Sequence, residues 1–226
     1  AVLAGERTAL NLLMVLSGIA SEARRWQYAA GRNLVVTDTR KTLPGLRALS
    51  KYAVRVGGAY NHRAGLYDMV LIKDNHIASA GSIAEAVRSA RRLQPDLLVE
   101  CEADTMAQAA EAAAAGADYV LLDNMDDATV VDAVRAVREA AGDRACLTEA
   151  SGRATFERLP ALAATGVDRV STSALTFARP LHCTPSGGTG YGRYHSLLCP
   201  PATVRPRLAV AAGAPALAPG AASATR

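Results

Sequence analysis

Between residues 34 and 174 the chain alternates six short apolar runs with stretches of helical periodicity, and few folds accommodate that alternation. The runs are Leu34–Val36, Met69–Ile72, Leu97–Val99, Tyr119–Leu122, Ala145–Leu147 and Val167–Val170, the last interrupted by Asp168-Arg169. Runs apolar on both faces, with charge only at their ends, read as strands of a parallel sheet buried beneath helices. A first helix is predicted over residues 6–30, with Leu10, Leu13, Met14, Ser17 and Gly18 along one face and Gly31 as its left-handed cap. Another follows from Leu43 to Val56, with Pro44 tolerated in its first turn. Ser82 caps a helix through Leu93, an alanine-rich helix runs from Thr105 to Gly116, and Val130, Val134, Val137 and Ala141 mark the next. A last helix ends at Gly166. The fold predicted is α/β, a parallel α/β barrel of about six βα units. A dinucleotide-binding sheet would carry GxGxxG after its first strand and a P-loop enzyme a Walker A loop; neither motif is present.

The pattern stops near Leu181. Residues 1–181 read as the barrel domain and residues 182–226 as a low-complexity tail, expected to be disordered. Six of the ten prolines fall in that tail, together with four arginines and no acid, so it accounts for the whole net charge of +4. Its composition also suits translation in a shifted frame. The neutral body has no basic stripe, which argues against a nucleic-acid partner. No apolar run approaches the roughly 18 residues of a membrane span, and the first residues lack the pattern of a secretory signal. The four cysteines show no CxxC spacing, so a reducing cytoplasm is the expected compartment.

In parallel α/β folds, ligands sit at the carboxyl ends of the strands. The polar residues expected there are Asp38, Arg40 and Lys41; Lys73; Glu100 and Glu102; Asp123; Glu149 and Ser151; Ser171 and Ser173. His62 and Arg63 come from the connection before Met69. The cations suit an anionic ligand, since Arg40-Lys41 combines a guanidinium fork with the amides that open a helix. The carboxylates suit Mg²⁺, which takes one or two of them and completes its shell with substrate oxygens. Ser151-Gly152 and Ser171–Ala174 are small enough for backbone amides to approach a phosphate. Arg7 would stand in the first turn of the opening helix, a poor place for a cation beside the helix dipole.

ERTALN (6–11), DTRKTLPGLR (38–47), NHRAGLYDMVLIKDNH (61–76), VECE (99–102), LLDN (121–124), EASG (149–152) and SALT (173–176) together resemble the quinolinate phosphoribosyltransferases, decarboxylating enzymes of NAD biosynthesis. The resemblance covers nearly all of residues 1–181. It implies that quinolinate and phosphoribosyl pyrophosphate give nicotinate mononucleotide, pyrophosphate and CO₂, with Mg²⁺ as cofactor. By the same resemblance Thr39, Arg40, Lys41, His62, Arg63 and Lys73 line the substrate pocket. Glu102 and Asp123 lie by the ribose and hold the metal, and Ser151, Gly152, Ser171, Ser173 and Ala174 lie at the phosphate. Lys41, Lys73, Glu102 and Asp123 are the catalytic groups it points to. Arg7 would reach the active site of a neighbouring subunit, in a homodimer with shared sites or a higher homo-oligomer. The chain departs from the family in three ways. It is expected to begin after the family's N-terminal domain, its tail replaces the family's end, and Arg153 and Ser173 stand where glycine is usual. Two other readings compete: an inactive anion-binding barrel of the same family, and a Schiff-base aldolase with Lys73 as nucleophile.

Overall fold

Six parallel strands form in a computed structural model of the chain, which describes residues 2–178. They are β1 (Val35–Thr37), β2 (Val70–Ile72), β3 (Val99–Ala103), β4 (Tyr119–Asp123), β5 (Leu147–Ser151) and β6 (Arg169–Ser171). Seven helices accompany them: α1 (Val2–Ala30), α2 (Arg47–Val56), α3 (Asp74–Ala80), α4 (Ile83–Leu93), α5 (Met106–Ala115), α6 (Asp127–Ala141) and α7 (Leu159–Thr165). The strands pair in the order β1-β6-β5-β4-β3-β2. First and last strands are therefore neighbours, which is the cyclic order of a βα barrel left open between β1 and β2. On the open side the segment at Tyr60 lies along β1: Tyr60 donates its amide to the Val36 carbonyl (2.9 Å) and accepts from the Asp38 amide (3.1 Å).

Local chemistry explains most helix boundaries. Ser82 accepts the Glu85 amide at 3.1 Å and starts α4. Thr105 and Gln108 cap α5 reciprocally, and Gly116 ends it in the left-handed region. Asp126 accepts the Thr129 amide at 2.8 Å and starts α6. The core lies between the outer face of the sheet and the helices. Val36, Ile72, Val99, Val120, Leu122 and Val170 meet Val54, Val87, Val134 and Leu162, all buried. Ala109, Ala112 and Ala113 let α5 lie close against the sheet.

Several boundaries differ from the sequence reading. The second helix begins at Arg47, not Leu43, because Gly45 takes a φ of +77° and closes a turn there. β3 and β5 lie two residues further along than predicted, which puts Glu100 and Glu149 inside strands rather than beyond them. α3 was not anticipated; it begins directly after Lys73. α1 starts at Val2, so Arg7 stands beyond the first turn and the dipole objection to it lapses. The face drawn on α1 through Leu10, Leu13, Met14, Ser17 and Gly18 is buried only toward its end: Gly18 is enclosed, and Met14 and Ser17 are half-buried. Leu10 and Leu13 are exposed, and the helix packs through Ile19, Ala23, Trp26 and Ala30 instead. Its neighbours α2, α7 and β1 meet that later half, since those are the residues they bury. The tail predicted for 182–226 lies outside the described residues.

Candidate active site

Alternation along the strands sorts the side chains. Val36, Cys101, Val120, Leu122, Ala150 and Val170 face the helices, and the register places their neighbours on the concave side. Glu102 is beside Leu121, Leu121 beside Glu149, and Glu149 beside Arg169; one step nearer the carboxyl ends, Asp123 is beside Ser151 and Thr37 beside Ser171. The interior of the barrel is therefore polar and its outside apolar.

Deepest in it is a tetrad of ionisable groups. Nε2 of His62 lies 2.9 Å from Glu100 and 3.4 Å from Glu149, while Arg169 pairs with Glu100 at 2.7 Å and also with Glu149. Both glutamates are fully buried. Two carboxylates this deep persist only with matching cations and hydrogen bonds. Burial alone would push the Glu149 carboxyl upward; Arg169 and His62 outweigh it and hold it below its usual range. Burial likewise pushes His62 down, yet the two carboxylates raise it to about 9. Its Nδ1 lies 2.8 Å from the Arg63 amide, so the carboxylates are faced by Nε2. The Arg169 guanidinium also lies 3.7 Å over the ring of Tyr119. Ligand atoms of His62, Glu100 and Glu149 lie within 4.8 Å of one another, but Arg169 already occupies the carboxylates a metal would need.

A second buried pair fixes the segment that carries His62. Asp38, fully buried, accepts from Lys51 Nζ (2.5 Å), Asn61 Nδ2 (2.7 Å) and the His62 amide (2.8 Å). Burial raises its carboxyl above the ordinary value despite those three donors. Lys51 also donates to the His62 carbonyl at 2.9 Å. Asp38 therefore holds the segment in place and is not turned to a ligand.

Beside it, Arg63 is half-buried, and burial together with neighbouring Arg40 lowers its pKa. Neither guanidinium has a carboxylate within ion-pair distance among the described residues, and Nε of Arg40 is buried without a hydrogen bond. Arg63 donates to the Met69 carbonyl at 3.4 Å and feels the charges of Glu100 and Asp68 at longer range, so two neighbouring guanidiniums without a carboxylate in ion-pair contact suit an anion. Lys41 is exposed in the same loop, whose turn is closed by the Thr39 hydroxyl accepting the Lys41 amide (3.0 Å). Thr176 donates to the Lys41 carbonyl at 2.6 Å and joins this loop to the one after β6. A cavity of about 690 Å³ is lined by Lys51, Arg55, His62 and Arg63 together with Leu98, Tyr119 and Arg169, residues at the amino ends of β3, β4 and β6 and so opposite the barrel mouth.

At the barrel mouth Lys73 pairs with Glu102, and Asp123 accepts from Asn124 Nδ2 at 2.6 Å. Ser151 follows on the adjacent strand, with Gly152 at φ +70° and Arg153 at φ +47°. Ser171 at the end of β6 is buried; in the loop that follows, Thr172 is buried, Ser173 is half-buried, and Ala174 is exposed with its amide bonded to the Thr172 hydroxyl (3.2 Å). Arg7 is exposed on α1 and is not joined to this cluster. Sequence reading missed Arg169, Lys51 and Asn61. The charged pair Asp168-Arg169 inside the Val167–Val170 strand was the only signal for Arg169.

A model of the family "Quinolinate phosphoribosyl transferase, C-terminal domain" matches residues 19–181. The chain belongs to that family. It is 48% identical over 175 residues to the probable nicotinate-nucleotide pyrophosphorylase [carboxylating] of Synechocystis, covering 76% of this chain and 59% of that one. The human nicotinate-nucleotide pyrophosphorylase [carboxylating] is 42% identical over 183 residues, covering 79% of this chain and 61% of that one. Among solved structures, NadC from Streptococcus pyogenes superposes with a TM-score of 0.74 at 42% identity, covering 80% of this chain and 63% of that one. The chain thus spans about 60% of the length of these relatives. This quinolinate phosphoribosyl transferase domain carries no helix long and apolar enough to cross a membrane among its described residues.

Proposed function

We propose that this chain supplies the barrel of an enzyme that transfers a phosphoribosyl group from phosphoribosyl pyrophosphate to quinolinate, with loss of CO₂, in NAD biosynthesis. The relatives' name writes the same reaction in the reverse, carboxylating sense. One observation carries the reading: Arg40 and Arg63 are neighbours without a carboxylate in ion-pair contact, in a barrel whose mouth presents Lys73, Glu102, Asp123 and Ser151. Quinolinate brings two carboxylates to match the cations of Arg40, Lys41 and Arg63. Held by them, its ring nitrogen is turned toward the anomeric carbon, which is catalysis by orientation.

As pyrophosphate departs, positive charge builds on that carbon, and the carboxylates of Glu102 and Asp123 face it. Lys73 sets the position of Glu102 through their ion pair. Ser151, Gly152, Ser171, Ser173 and Ala174 receive the 5′-phosphate on small side chains and backbone amides. Once the ring nitrogen is alkylated and cationic, it stabilises the electron pair left on the adjacent ring carbon as the carboxyl leaves as CO₂, and that carbon then takes a proton from solvent. No covalent enzyme intermediate is required.

Glu102 and Asp123 lie on one face of adjacent strands, and each has one carboxylate oxygen without a hydrogen bond among the described residues. That arrangement fits Mg²⁺, which needs only one or two carboxylates beside substrate oxygens. When bound, the ion would neutralise the leaving pyrophosphate. The Schiff-base alternative loses ground because a nucleophilic lysine needs an apolar or cationic neighbourhood, whereas Lys73 faces a carboxylate. We further propose a cytoplasmic homodimer, with Arg7 of one subunit serving the other's site.

The test is turnover of quinolinate with phosphoribosyl pyrophosphate by this chain, beside a full-length relative as positive control. Quinolinate binding by calorimetry is measured in parallel. Binding without turnover would leave an anion-binding barrel. Neither binding nor turnover would overturn the proposal.

A further inference from the structure

We infer that Asn124 is a positioning residue which locks the carboxylate of Asp123 and the Ser151–Gly152 turn into one unit at the barrel mouth. The inference rests on the proposed role of Asp123 at the ribose and deepens it.

Asn124 follows β4 directly and takes a φ of +56°, a backbone region that few side-chain-bearing residues enter. Asparagine is among those that do, because its short amide can bond locally. In this conformation the side chain folds back, and Nδ2 donates to Oδ2 of Asp123 at 2.6 Å. An ionised carboxylate only accepts, so the amide has one possible orientation: nitrogen toward Asp123, oxygen away. The oxygen then meets Gly152. A Cβ at position 152 would fall 2.1 Å from Asn124 Oδ1 and 2.7 Å from its Cγ, well inside any tolerable contact. The backbone completes the lock, since the Asn124 amide donates to the Ser151 carbonyl at 2.9 Å, one step past the last β4–β5 pair, Asp123 with Ser151. One asparagine thus sets a carboxylate rotamer on β4 and requires glycine after β5.

The consequence is functional. Asp123 and the small residues after β5 are the groups assigned to the ribose and phosphate ends of one substrate, and a shared support keeps their spacing fixed. Asn124 touches neither end itself. Loss of its side chain should therefore impair handling of phosphoribosyl pyrophosphate and leave quinolinate contacts, made by Arg40, Lys41 and Arg63, undisturbed.

The test compares Asn124→Ala, Asn124→Asp, Asp123→Asn, Gly152→Ala and the double variant Asn124→Ala/Gly152→Ala. Phosphoribosyl pyrophosphate and quinolinate affinities are measured by calorimetry, kcat and KM where turnover is present, and thermal unfolding throughout. Asn124→Ala should weaken phosphoribosyl pyrophosphate binding about tenfold, with quinolinate affinity within about twofold of the parent, the loss expected for one charge-assisted hydrogen bond. Asn124→Asp, which sets a second acceptor against Asp123, should lose more. In the double variant the Gly152→Ala penalty should shrink, because the atoms it strikes are gone. Harm from Asp123→Asn but none from Asn124→Ala would overturn the inference alone. No effect of Asp123→Asn would remove both Asp123's role and this one. Strictly additive unfolding penalties for Asn124 and Gly152 would refute the lock whatever the activity.

Discussion

Arg169, the first residue of β6, reaches Glu100 on β3 at 2.7 Å although two strands stand between them. On a flat sheet the two backbones would be roughly 14 Å apart, three strand spacings. The contact records how far the sheet is curled, and with Glu149 and His62 it closes a charge-balanced tetrad in the interior.

Breaking such a pair from one side leaves a carboxylate buried without compensation. Arg169→Met should therefore lower unfolding stability by about 3–5 kcal/mol, read from urea midpoints at neutral pH. A loss below about 1 kcal/mol, the scale of an exposed pair, would mean that the tetrad is reached by water. Replacing Glu100 and Glu149 with Gln alongside Arg169→Met should recover part of the loss.

The tetrad also fixes a pH dependence with two arms. His62 is raised from its ordinary 6.5 to about 9, so its stabilising contribution is complete below 6.5 and lost as pH climbs through 9. Glu149 is shifted downward, so its contribution is complete above the ordinary 4.5 and is lost as pH falls beyond it. Stability should peak between about 4.5 and 6.5 and decline on both sides. The groups facing His62 are Glu100 and Glu149 at Nε2 and the Arg63 amide at Nδ1. Denaturant midpoints across pH check the arms; in His62→Gln the alkaline arm should vanish and the acid arm remain.

The anion site makes a separable prediction. Lys41→Ala and Arg63→Ala should each weaken quinolinate binding by about 1.5–3 kcal/mol, roughly tenfold to a hundredfold. Mg²⁺ binding should change little, because these cations are assigned to the substrate carboxylates. Arg63→Ala should also relieve the repulsion on Arg40 and so stabilise the unliganded fold slightly. Calorimetry showing unchanged quinolinate affinity in both variants would remove them from the site.

What could be read from the sequence follows from what is local. Strand–helix alternation, the caps at Ser82 and Thr105 and the halts at Gly116 and Gly166 depend on nearby residues, and each was legible. Glu100 and Glu149 were assigned to strand ends because a carboxylate inside a strand violates the burial pattern unless it is compensated. The compensation comes from Arg169, 69 residues from Glu100, and no periodicity points to so distant a partner. Lys73, Glu102, Asp123 and Ser151 were placed near strand ends without tertiary knowledge, whereas Asp38, Glu100 and Glu149, expected in the same group, lie buried. The support given by Asp38, Lys51 and Asn61 was not legible, because that depends on the 60–63 segment folding back along β1.

Arg7 gives the last prediction. It stands on the part of α1 that extends past the barrel, on the same stretch as exposed Leu10 and Leu13, and none of the described core covers these residues. An arginine among exposed leucines can serve an interface, where the leucines supply area and the guanidinium a carboxylate-binding fork. On the shared-site proposal Arg7 completes the dicarboxylate pocket of a second copy. Arg7→Ala should then abolish turnover while the protein stays folded and dimeric, and Lys73→Ala should do the same through its own subunit. Mixing the two inactive variants should restore activity, because each mixed dimer holds one site with both groups intact; random exchange yields half mixed dimers and caps recovery at about a quarter of the parent. Subunit exchange is verified first by native mass spectrometry. Exchange without recovered turnover would mean that Arg7 does not act across an interface, and the shared-site dimer would have to be given up.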